Sequence, residues 1–279
     1  MKFYEMHLPT QRSNSFKITQ MQRTIKLIQN ADHPIRSRDD AKCAGVKGAK
    51  TLAKVDEILR TGGLSLVQES SNSSSFQAML SFLNIHGVGP STAGVFVARG
   101  WLSLEDLRRN RDKLNRVQRI GLDLYTDLTT KIPRAEVAEI FAVVKECACR
   151  IDPGLVLEVC GSYRRGKPAC GDIDILISHP NGHDHEGVLP LLVQALTASG
   201  FMTHALTTPE ESDMGHGKFM GTCRLSDRAG ALHRRLDLIV TPWVEWGPAL
   251  LYFTGSAHFN RSMRLLASEY IHTAGVPAV

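Results

Sequence analysis

The spacing of apolar positions changes near residue 155. Before it they recur every three to four residues, as in KTLAKVDEILRTGG, where Leu52, Val55 and Leu59 share one face of a predicted helix that two glycines end. After it, short runs typical of strands occur in VLEVCGS, DIDILISH, KFMGTCRL and RRLDLIVTP, with a helical stretch at about residues 188–199. The pattern predicts an α+β protein, all-α in its first part and built on a mixed sheet in its second.

Polar and turn-forming residues divide this pattern into segments. The stretch SSNSSS at residues 70–75 has no apolar periodicity and predicts a linker after a basic helical segment, residues 1–69. Residues 76–150 form a second helical segment, in which SLED predicts a capping box between Ser103 and Asp106. The strand-rich segment covers residues 151–250, and a last segment covers residues 251–279.

Composition and charge narrow the class of protein. The 279 residues are 43% hydrophobic and 22% charged, the balance of a soluble globular protein, and 33 Lys and Arg against 28 Asp and Glu give a net charge of +5. This excess permits a nucleic-acid partner without requiring one. No apolar run reaches the length of a membrane-spanning helix, and six cysteines without a CxxC pair favour a reducing compartment. The first 17 residues are basic, so a transit peptide remains an alternative interpretation of this segment.

The turn IHGVGP is the first candidate for chemistry. Gly87 and Gly89 allow a tight turn whose backbone N–H groups face a phosphate at the start of the next helix. A helix-hairpin-helix grips the DNA backbone in this way, and hairpin carbonyls can hold a monovalent cation. A dinucleotide-binding loop is excluded because a helix precedes the turn. An ordinary interhelical turn remains the alternative.

The segment CGSYRRGKPACGDIDILI is the second candidate. Its GxxxxGK string is not a P-loop, because Pro168 stands where Ser or Thr would hold magnesium and strand-like residues follow. Asp172 and Asp174 lie two apart, so their carboxylates project from one face of a strand and can chelate one hard cation. Asp237 in RRLDLIV adds a third carboxylate, and three on adjacent strands suit two Mg²⁺ ions. An exposed strand face is the alternative reading.

Residues around these aspartates suit a nucleotide. Gly161, Ser162 and the arginines at 164 and 165 offer backbone amides, a hydroxyl and guanidinium groups to triphosphate oxygens. Farther on, LLYFTGSAHFNRSMR combines two aromatic residues, a Gly-Ser turn and a helical stretch. An aromatic pair can stack on a sugar or base, although such a pair in an apolar run is more often part of a core.

Four strings follow IHGVGP in this order: GSYRRGK, CGDIDILI, RRLDLIV and YFTGSAHFNRSMR. With them, the chain resembles the X family of DNA polymerases over about residues 17–267. The resemblance implies that Asp172, Asp174 and Asp237 hold two Mg²⁺ ions, that Asp237 assists deprotonation of the primer 3′-hydroxyl, and that Arg235 supports it. The residues that it assigns to the incoming nucleotide are Gly161, Ser162, Arg165 and Gly171 for the triphosphate, Tyr252, Phe253 and Gly255 for the sugar, and Asn260 and Arg264 for the nascent base pair.

The same resemblance assigns a second chemistry to the N-terminal segment. Lys54 matches a lyase amine that would attack an abasic deoxyribose 5′-phosphate, and the charge of Lys50 would help keep that amine neutral. Lys17 and Lys50, with the hairpin glycines, are expected to contact DNA. Met21 and Leu66 replace polar phosphate contacts, the lyase part is expected to lack a first helix, and the match stops near Ala267, which makes the last subdomain incomplete.

The resemblance therefore implies a DNA-directed DNA polymerase that fills short gaps in base excision repair. Its expected partners are gapped or nicked DNA, a deoxynucleoside triphosphate and a repair ligase or scaffold, with no membrane, in a monomer located in the nucleus or alternatively the mitochondrion. Two other functions stay open: a gapped-DNA-binding module without catalysis, and template-independent nucleotidyl transfer.

Overall fold

The computed structural model describes residues 12–71, 73–208, 210–211, 215–225 and 230–274, without the side chains of residues 12–18, 70–71, 210–211 and 270–274. The chain divides into two compact units, Met1–Asp123 and Leu124–Val279. Each unit has its own apolar core.

The described part of the first unit is helical. Its α-helices are α1 (Arg12–Gln29), α2 (Arg38–Cys43), α3 (Ala49–Thr61), α4 (Ser65–Ser71), α5 (Ser74–Phe82), α6 (Pro90–Ala98), α7 (Leu104–Arg109) and α8 (Arg116–Asp123). The predicted helix around Leu52 and Val55 is confirmed as α3, which ends at Gly62 in the left-handed conformation. The capping box of Ser103 and Asp106 is also confirmed, at the start of α7.

The hairpin between α5 and α6 rests on α8. Gly87 has a φ of +83°, and Gly89 is the N-cap of α6, which begins with Pro90. The buried Gln118 of α8 donates from Nε2 to the Gly87 carbonyl at 3.3 Å, while Asn115 and Gln118 cap each other's backbone at 2.9 and 3.0 Å. Phe82 and Phe96 pack edge to face across the helix pair. The turn is therefore held by the hydrogen bond from α8 and by the packing between α5 and α6.

The second unit combines helices with a mixed sheet. Its helices are α9 (Tyr125–Thr129), α10 (Arg134–Ile151), α11 (Gly161–Arg164), α12 (Val188–Ala198), α13 (Trp246–Thr254) and α14 (Ala257–Ala274). Its strands are β1 (Ile132–Pro133), β2 (Val156–Val159), β3 (Ala169–Cys170), β4 (Ile173–Ser178), β5 (Met202–Ala205), β6 (Glu210–Glu211), β7 (Gly217–Cys223) and β8 (Arg234–Val240). The predicted α+β class is confirmed.

The main sheet has the order β2-β4-β8-β7-β5, with β6 paired to β7. Strands β4 and β8 are parallel, and the other pairs are antiparallel. Residues alternate between the two faces, so Ile173, Ile175 and Ile177 enter the main core with α10 and α12. Leu176 and Ile239 face the other side, where they pack against α13. The acidic residues of β4 and β8 share this second face.

A buried ion pair joins α10 to the start of β8. Arg234 donates to both carboxylate oxygens of Glu136, at 2.6 and 2.9 Å, and to the Thr130 carbonyl at 3.1 Å. Both side chains are nearly excluded from solvent. This bidentate contact fixes the strand one residue before Arg235 and three before Asp237.

No helix in the described ranges is long and apolar enough to span a membrane.

Replacing Glu136 with Ala should destabilise the second unit by about 3–5 kcal/mol, because it leaves the Arg234 guanidinium buried and unpaired. The measurement is urea denaturation followed by tryptophan fluorescence, to which Trp243 and Trp246 of this unit contribute. Glu146→Ala, which breaks an exposed pair with Arg150 on the same helix, is the control and should cost less than about 1 kcal/mol. Equal losses in the two variants would contradict the assignment.

Candidate active site

Strand pairing places two of the three predicted aspartates side by side. In the parallel ladder, Asp174 of β4 lies directly opposite Asp237 of β8. Neighbouring strands lie about 4.8 Å apart, so the two carboxylates are side by side on one face. Asp172 precedes β4 by one residue and shares that face by the two-residue period. The sequence pattern predicted this adjacency, and the register supplies it.

Burial makes the two strand carboxylates hard to ionise together. Desolvation, followed by the charge of Asp237, raises the pKa of Asp174 to about 6, while Lys218 and Arg165 act in the opposite direction. Asp237 is only 6% exposed, and its burial raises its own pKa against the charges of Arg235 and Lys218. The site is therefore short of positive charge.

Arg235 is the nearest cation to these carboxylates. Its Nη2 donates to Asp172 Oδ2, and its Nε lies 3.5 Å from Asp237 Oδ1, beyond good hydrogen-bonding geometry. Within the described residues, the buried Asp237 Oδ1 has no hydrogen-bond partner. An unpartnered buried carboxylate oxygen beside two further carboxylates is an oxygen donor set that suits a divalent cation. The residues present therefore fit the predicted metal.

The turn after β2 closes against Asp174. Gly161 begins α11 with a φ of +55°, and a Cβ at this position would stand 2.4 Å from Asp174 Oδ2. Only glycine allows the backbone of Gly161 and Ser162 to approach the carboxylate so closely. The Cys160 N–H donates to the Asp174 carbonyl at 2.8 Å, which fixes the approach. Burial raises the pKa of the adjacent Cys160 thiol to about 12, so the thiol stays protonated.

Arg165 connects the glycine turn to the end of α13. Its Nη1 donates to the Thr254 carbonyl, and a Cβ on Gly255 would come within 3.1 Å of the same nitrogen. Arg164 reaches Thr254 Oγ1 at 3.3 Å. The predicted triphosphate residues 161–165 and the predicted sugar residue Gly255 are thus neighbours. Gly171 is exposed in the turn between β3 and β4, one residue from Asp172.

The remaining nucleotide-pocket residues lie on α13 and α14. Tyr252 is 48% exposed and packs edge to face on Phe253, with ring centroids 5.2 Å apart. Asn260 Nδ2 donates to the Tyr252 carbonyl at 2.7 Å, which links the start of α14 to the aromatic pair at the end of α13. Arg264 follows one helical turn later and is exposed. Phe253, in contrast, contacts the apolar cluster around Leu176, so it is partly a core residue.

The predicted DNA contacts and the predicted lyase amine belong to the first unit. Gly87 and Gly89 form the hairpin described above. Lys50 and Lys54 lie four residues apart on α3, with Lys50 exposed and Lys54 half-buried. The backbone of Lys17 is part of α1, but its side chain lies outside the described residues.

Two residues that the sequence pattern does not single out also shape the site. Lys218 of β7 is exposed, and its charge lowers the pKa of both Asp174 and Asp237. Arg134 stacks its guanidinium 3.8 Å from the Tyr163 ring centroid and donates to the Tyr163 carbonyl, which holds α11 in place. The alternation in KFMGTC places Lys218 and Met220 on one face, but only the pairing with β8 shows which face.

Comparison with known proteins agrees with this geometry. Family models match in three places: the DNA polymerase beta palm over residues 131–243, the fingers domain of DNA polymerase lambda over residues 80–129, and the DNA polymerase beta thumb over residues 249–270. DNA polymerase lambda of Rattus norvegicus is 43% identical over 245 residues, which are 88% of this chain and 42% of the relative. The chain belongs to the X family of DNA polymerases.

Other members of the X family are also similar. DNA polymerase lambda of Arabidopsis thaliana is 33% identical over 88% of this chain and 47% of its own length, and a type-X family protein, pol4, of Schizosaccharomyces pombe is 27% identical over 88% and 48%. The chain therefore spans less than half the length of these relatives. The palm match contains all three aspartates, and the thumb match contains Tyr252, Asn260 and Arg264.

The pKa of Asp174 predicts how the metal-free X-family chain responds to pH. Because the pKa is higher in the folded state than in the unfolded chain, native stability from this group is greatest below about pH 4 and is lost as pH rises through about 6. Asp174→Asn should therefore be more stable than the parent at pH 7, by on the order of 2 kcal/mol. The measurement is urea denaturation in EDTA at pH 5 and pH 7.5.

Glu146→Gln on the exposed face of α10 is the control for the loss of one negative charge, and it should follow the parent at both pH values. A parent that gains stability relative to Asp174→Asn between pH 5 and pH 7.5 would show the opposite sign and refute the raised pKa.

Proposed function

We propose that the chain is a DNA-directed DNA polymerase that transfers a nucleotide from a deoxynucleoside triphosphate to a primer 3′-hydroxyl. The observation that carries the proposal is the pairing of Asp174 with Asp237 in register, with Asp172 on the same face and an unpartnered buried oxygen on Asp237. This arrangement supports a phosphoryl-transfer site, because such sites stabilise the extra charge on the reacting phosphorus and oxygen atoms.

Asp172, Asp174 and Asp237 would hold two Mg²⁺ ions, which supply charge neutralisation at the attacking and leaving oxygens. Asp237, on the most buried of the three positions, would accept the proton of the 3′-hydroxyl. Arg165 and the backbone amides at Gly161 and Ser162 would bind the triphosphate, where guanidinium and amide donors stabilise the developing negative charge. Gly171 would contribute its backbone to the same pocket.

The sugar and the base pair would contact the α13–α14 region. Tyr252 and Phe253, whose rings meet edge to face, would line the deoxyribose together with Gly255, whose lack of a Cβ lets the Arg165 guanidinium approach. Asn260 and Arg264 would face the nascent base pair. In the first unit, the hairpin at Gly87 and Gly89 would grip the DNA backbone with a monovalent cation on its carbonyls, and Lys17 and Lys50 would bind phosphates.

The setting of this reaction is short-gap filling in base excision repair. We propose gapped or nicked DNA as the substrate, a repair ligase or scaffold as a partner, a monomeric enzyme, and the nucleus as its compartment, with the mitochondrion as the alternative. Residues 1–69 would serve as a partial lyase part, residues 251–279 as the nucleotide-selecting part, and the predicted segments 76–150 and 151–250 as DNA-binding fingers and palm, with their border nearer residue 130, where the fingers match ends and the palm match begins. The predicted linker at residues 70–75 overlaps the end of α4 and the start of α5.

Single-nucleotide incorporation on a one-nucleotide gapped duplex tests the proposal. With Mg²⁺, the parent chain should add the templated nucleotide, and Asp237→Asn should lose at least about 10²-fold in rate, because several kcal/mol of transition-state stabilisation depend on this carboxylate. Glu146→Gln removes the same charge far from the site in sequence and should stay within about twofold of the parent.

Binding of the same gapped duplex, measured in parallel, separates the alternatives. Asp237→Asn should still bind DNA, and binding by every variant should weaken as salt rises. If the parent binds gapped DNA but adds no nucleotide, the chain is a binding module. Untemplated addition would favour the terminal-transfer alternative, and equal incorporation by the parent and Asp237→Asn would refute the palm assignment.

We also propose that Lys54 acts as the amine of a 5′-deoxyribose-phosphate lyase. The proposal is supported by the position of Lys54 on α3, where it is half-buried and lies one helical turn from Lys50. The amine would attack the sugar aldehyde and release water to form a Schiff base, and β-elimination would then break the C3′–O bond.

Borohydride trapping on DNA that carries a 5′-deoxyribose phosphate tests this chemistry. The parent should form a covalent adduct, and Lys54→Ala should lose most of it, because borohydride links protein to DNA only where it reduces a Schiff base between them. Lys42→Ala, an exposed lysine in the same unit, is the matched control and should still be trapped. An adduct of undiminished yield in Lys54→Ala would assign the amine to another residue.

A further inference from the structure

A second cluster of metal-binding side chains lies at the far end of β4. Asp152 caps the end of α10, His179 follows the last residue of β4, and Asp184 lies in the loop before α12. One donor atom from each of the three lies within 4.8 Å of the other two, the only such group of His, Cys, Asp and Glu in the described ranges. His179 lies five positions after Asp174, about 16 Å along a strand.

Each carboxylate of the cluster accepts a hydrogen bond on one of its two oxygens, which orients it. The Gly154 N–H donates to Asp152 Oδ1 at 2.7 Å, and Asn181 Nδ2 donates to Asp184 Oδ2 at 2.6 Å. The Asn181 side-chain oxygen also accepts from the N–H groups of His183 and Asp184, both at 3.1 Å, which shapes the loop. Such contacts orient the donors of protein metal sites from outside the coordination shell.

The contact between His179 and Asp152 has the spacing of two ligands rather than of a hydrogen bond. His179 Nε2 lies 3.6 Å from Asp152 Oδ2. Two ligands about 2.1 Å from one tetrahedral ion are about 3.4 Å apart. Gly154 keeps the space beside this nitrogen open, because a Cβ there would stand 2.2 Å from Nε2. The φ of Gly154 is not in the left-handed region, so the close approach is the reason for glycine.

We infer that Asp152, His179 and Asp184 form a binding site for one divalent transition-metal ion of the zinc class. One imidazole and two carboxylates are the mixed nitrogen and oxygen donors that Zn²⁺ accepts, whereas Mg²⁺ prefers oxygen alone. The two carboxylates bring the charge that neutralises the ion. The exposed His183, next to Asp184, or water completes the coordination. The ion ties the end of α10, the end of β4 and the loop together.

Metal binding also changes the proton on the His179 ring. The Asn181 N–H donates to His179 Nδ1 at 3.2 Å, an arrangement in which a neutral ring carries its proton on Nε2. A metal on Nε2 requires the proton on Nδ1, and the Asn181 N–H must then release the ring. This exchange is a specific signature, because no ion bound elsewhere on the chain would cause it.

Titration calorimetry with Zn²⁺ in excess Mg²⁺ tests the site. The parent should bind one Zn²⁺ ion at this site, and His179→Ala and Asp184→Asn should each weaken this binding at least about tenfold. Gly154→Ala should weaken it as well, because it fills the space at Nε2 without removing a donor. Zn²⁺ should raise the thermal unfolding midpoint of the parent but not of His179→Ala.

The controls separate this site from other possible ligands. Cys43→Ser removes an exposed thiol, His33→Ala removes an exposed imidazole, and Asp237→Asn alters the active site, and all three should retain the binding. On addition of Zn²⁺, nuclear magnetic resonance should show the His179 proton on Nδ1 and a shifted Asn181 amide. Unchanged binding in both His179→Ala and Asp184→Asn, or no Zn²⁺ binding by the folded parent, would overturn the inference.

Discussion

The pairing of Asp174 with Asp237 across two parallel strands is the constraint on which the rest of the second unit depends. Two carboxylates on neighbouring, largely buried positions repel each other and lose hydration, and both effects favour their neutral forms. A divalent cation at this face, as proposed above, would offset this cost. Arg235 and Lys218 compensate only part of it, since Asp237 Oδ1 keeps no hydrogen-bond partner among the described residues. A bound divalent cation would compensate the rest without protonating either carboxylate.

The structure around the aspartates keeps that unfavourable arrangement rigid. The other face of the sheet is an apolar core, so β4 and β8 cannot slip by one residue without exposing their isoleucines and leucines. Glu136 and Arg234 fix the start of β8. At the same end, Asp127 accepts from both the backbone N–H and Nδ1 of His233, at 2.9 and 2.8 Å. Two polar anchors thus precede Asp237 by three and four residues and hold its strand in place.

The sequence predicts the local features of this structure, but it does not predict the contacts between distant residues. Periodicity locates α3 and the strands that carry Asp174 and Asp237, because both signals are local. The capping box at Ser103 is local too. Lys218 is different: KFMGTC is an ordinary alternating strand until β7 pairs with β8 and places Lys218 opposite Ile239. Glu136 and Arg234 are 98 residues apart, so no local pattern could pair them. Contacts between residues that are distant in the chain depend on the order in which the strands pair, and the sequence pattern does not predict that order.

The two ends of β4 illustrate how one strand can carry two chemistries. At its start, three carboxylates form an oxygen donor set that suits a hard cation, and at its end an imidazole joins two carboxylates in a set that suits a softer one. Between them, Ile173, Ile175, Leu176, Ile177 and Ser178 are buried. About 16 Å of strand separates Asp174 from His179, so the two donor sets share no side chain. The donor types, oxygen alone at the start of the strand and nitrogen with oxygen at its end, therefore decide which ion each end selects.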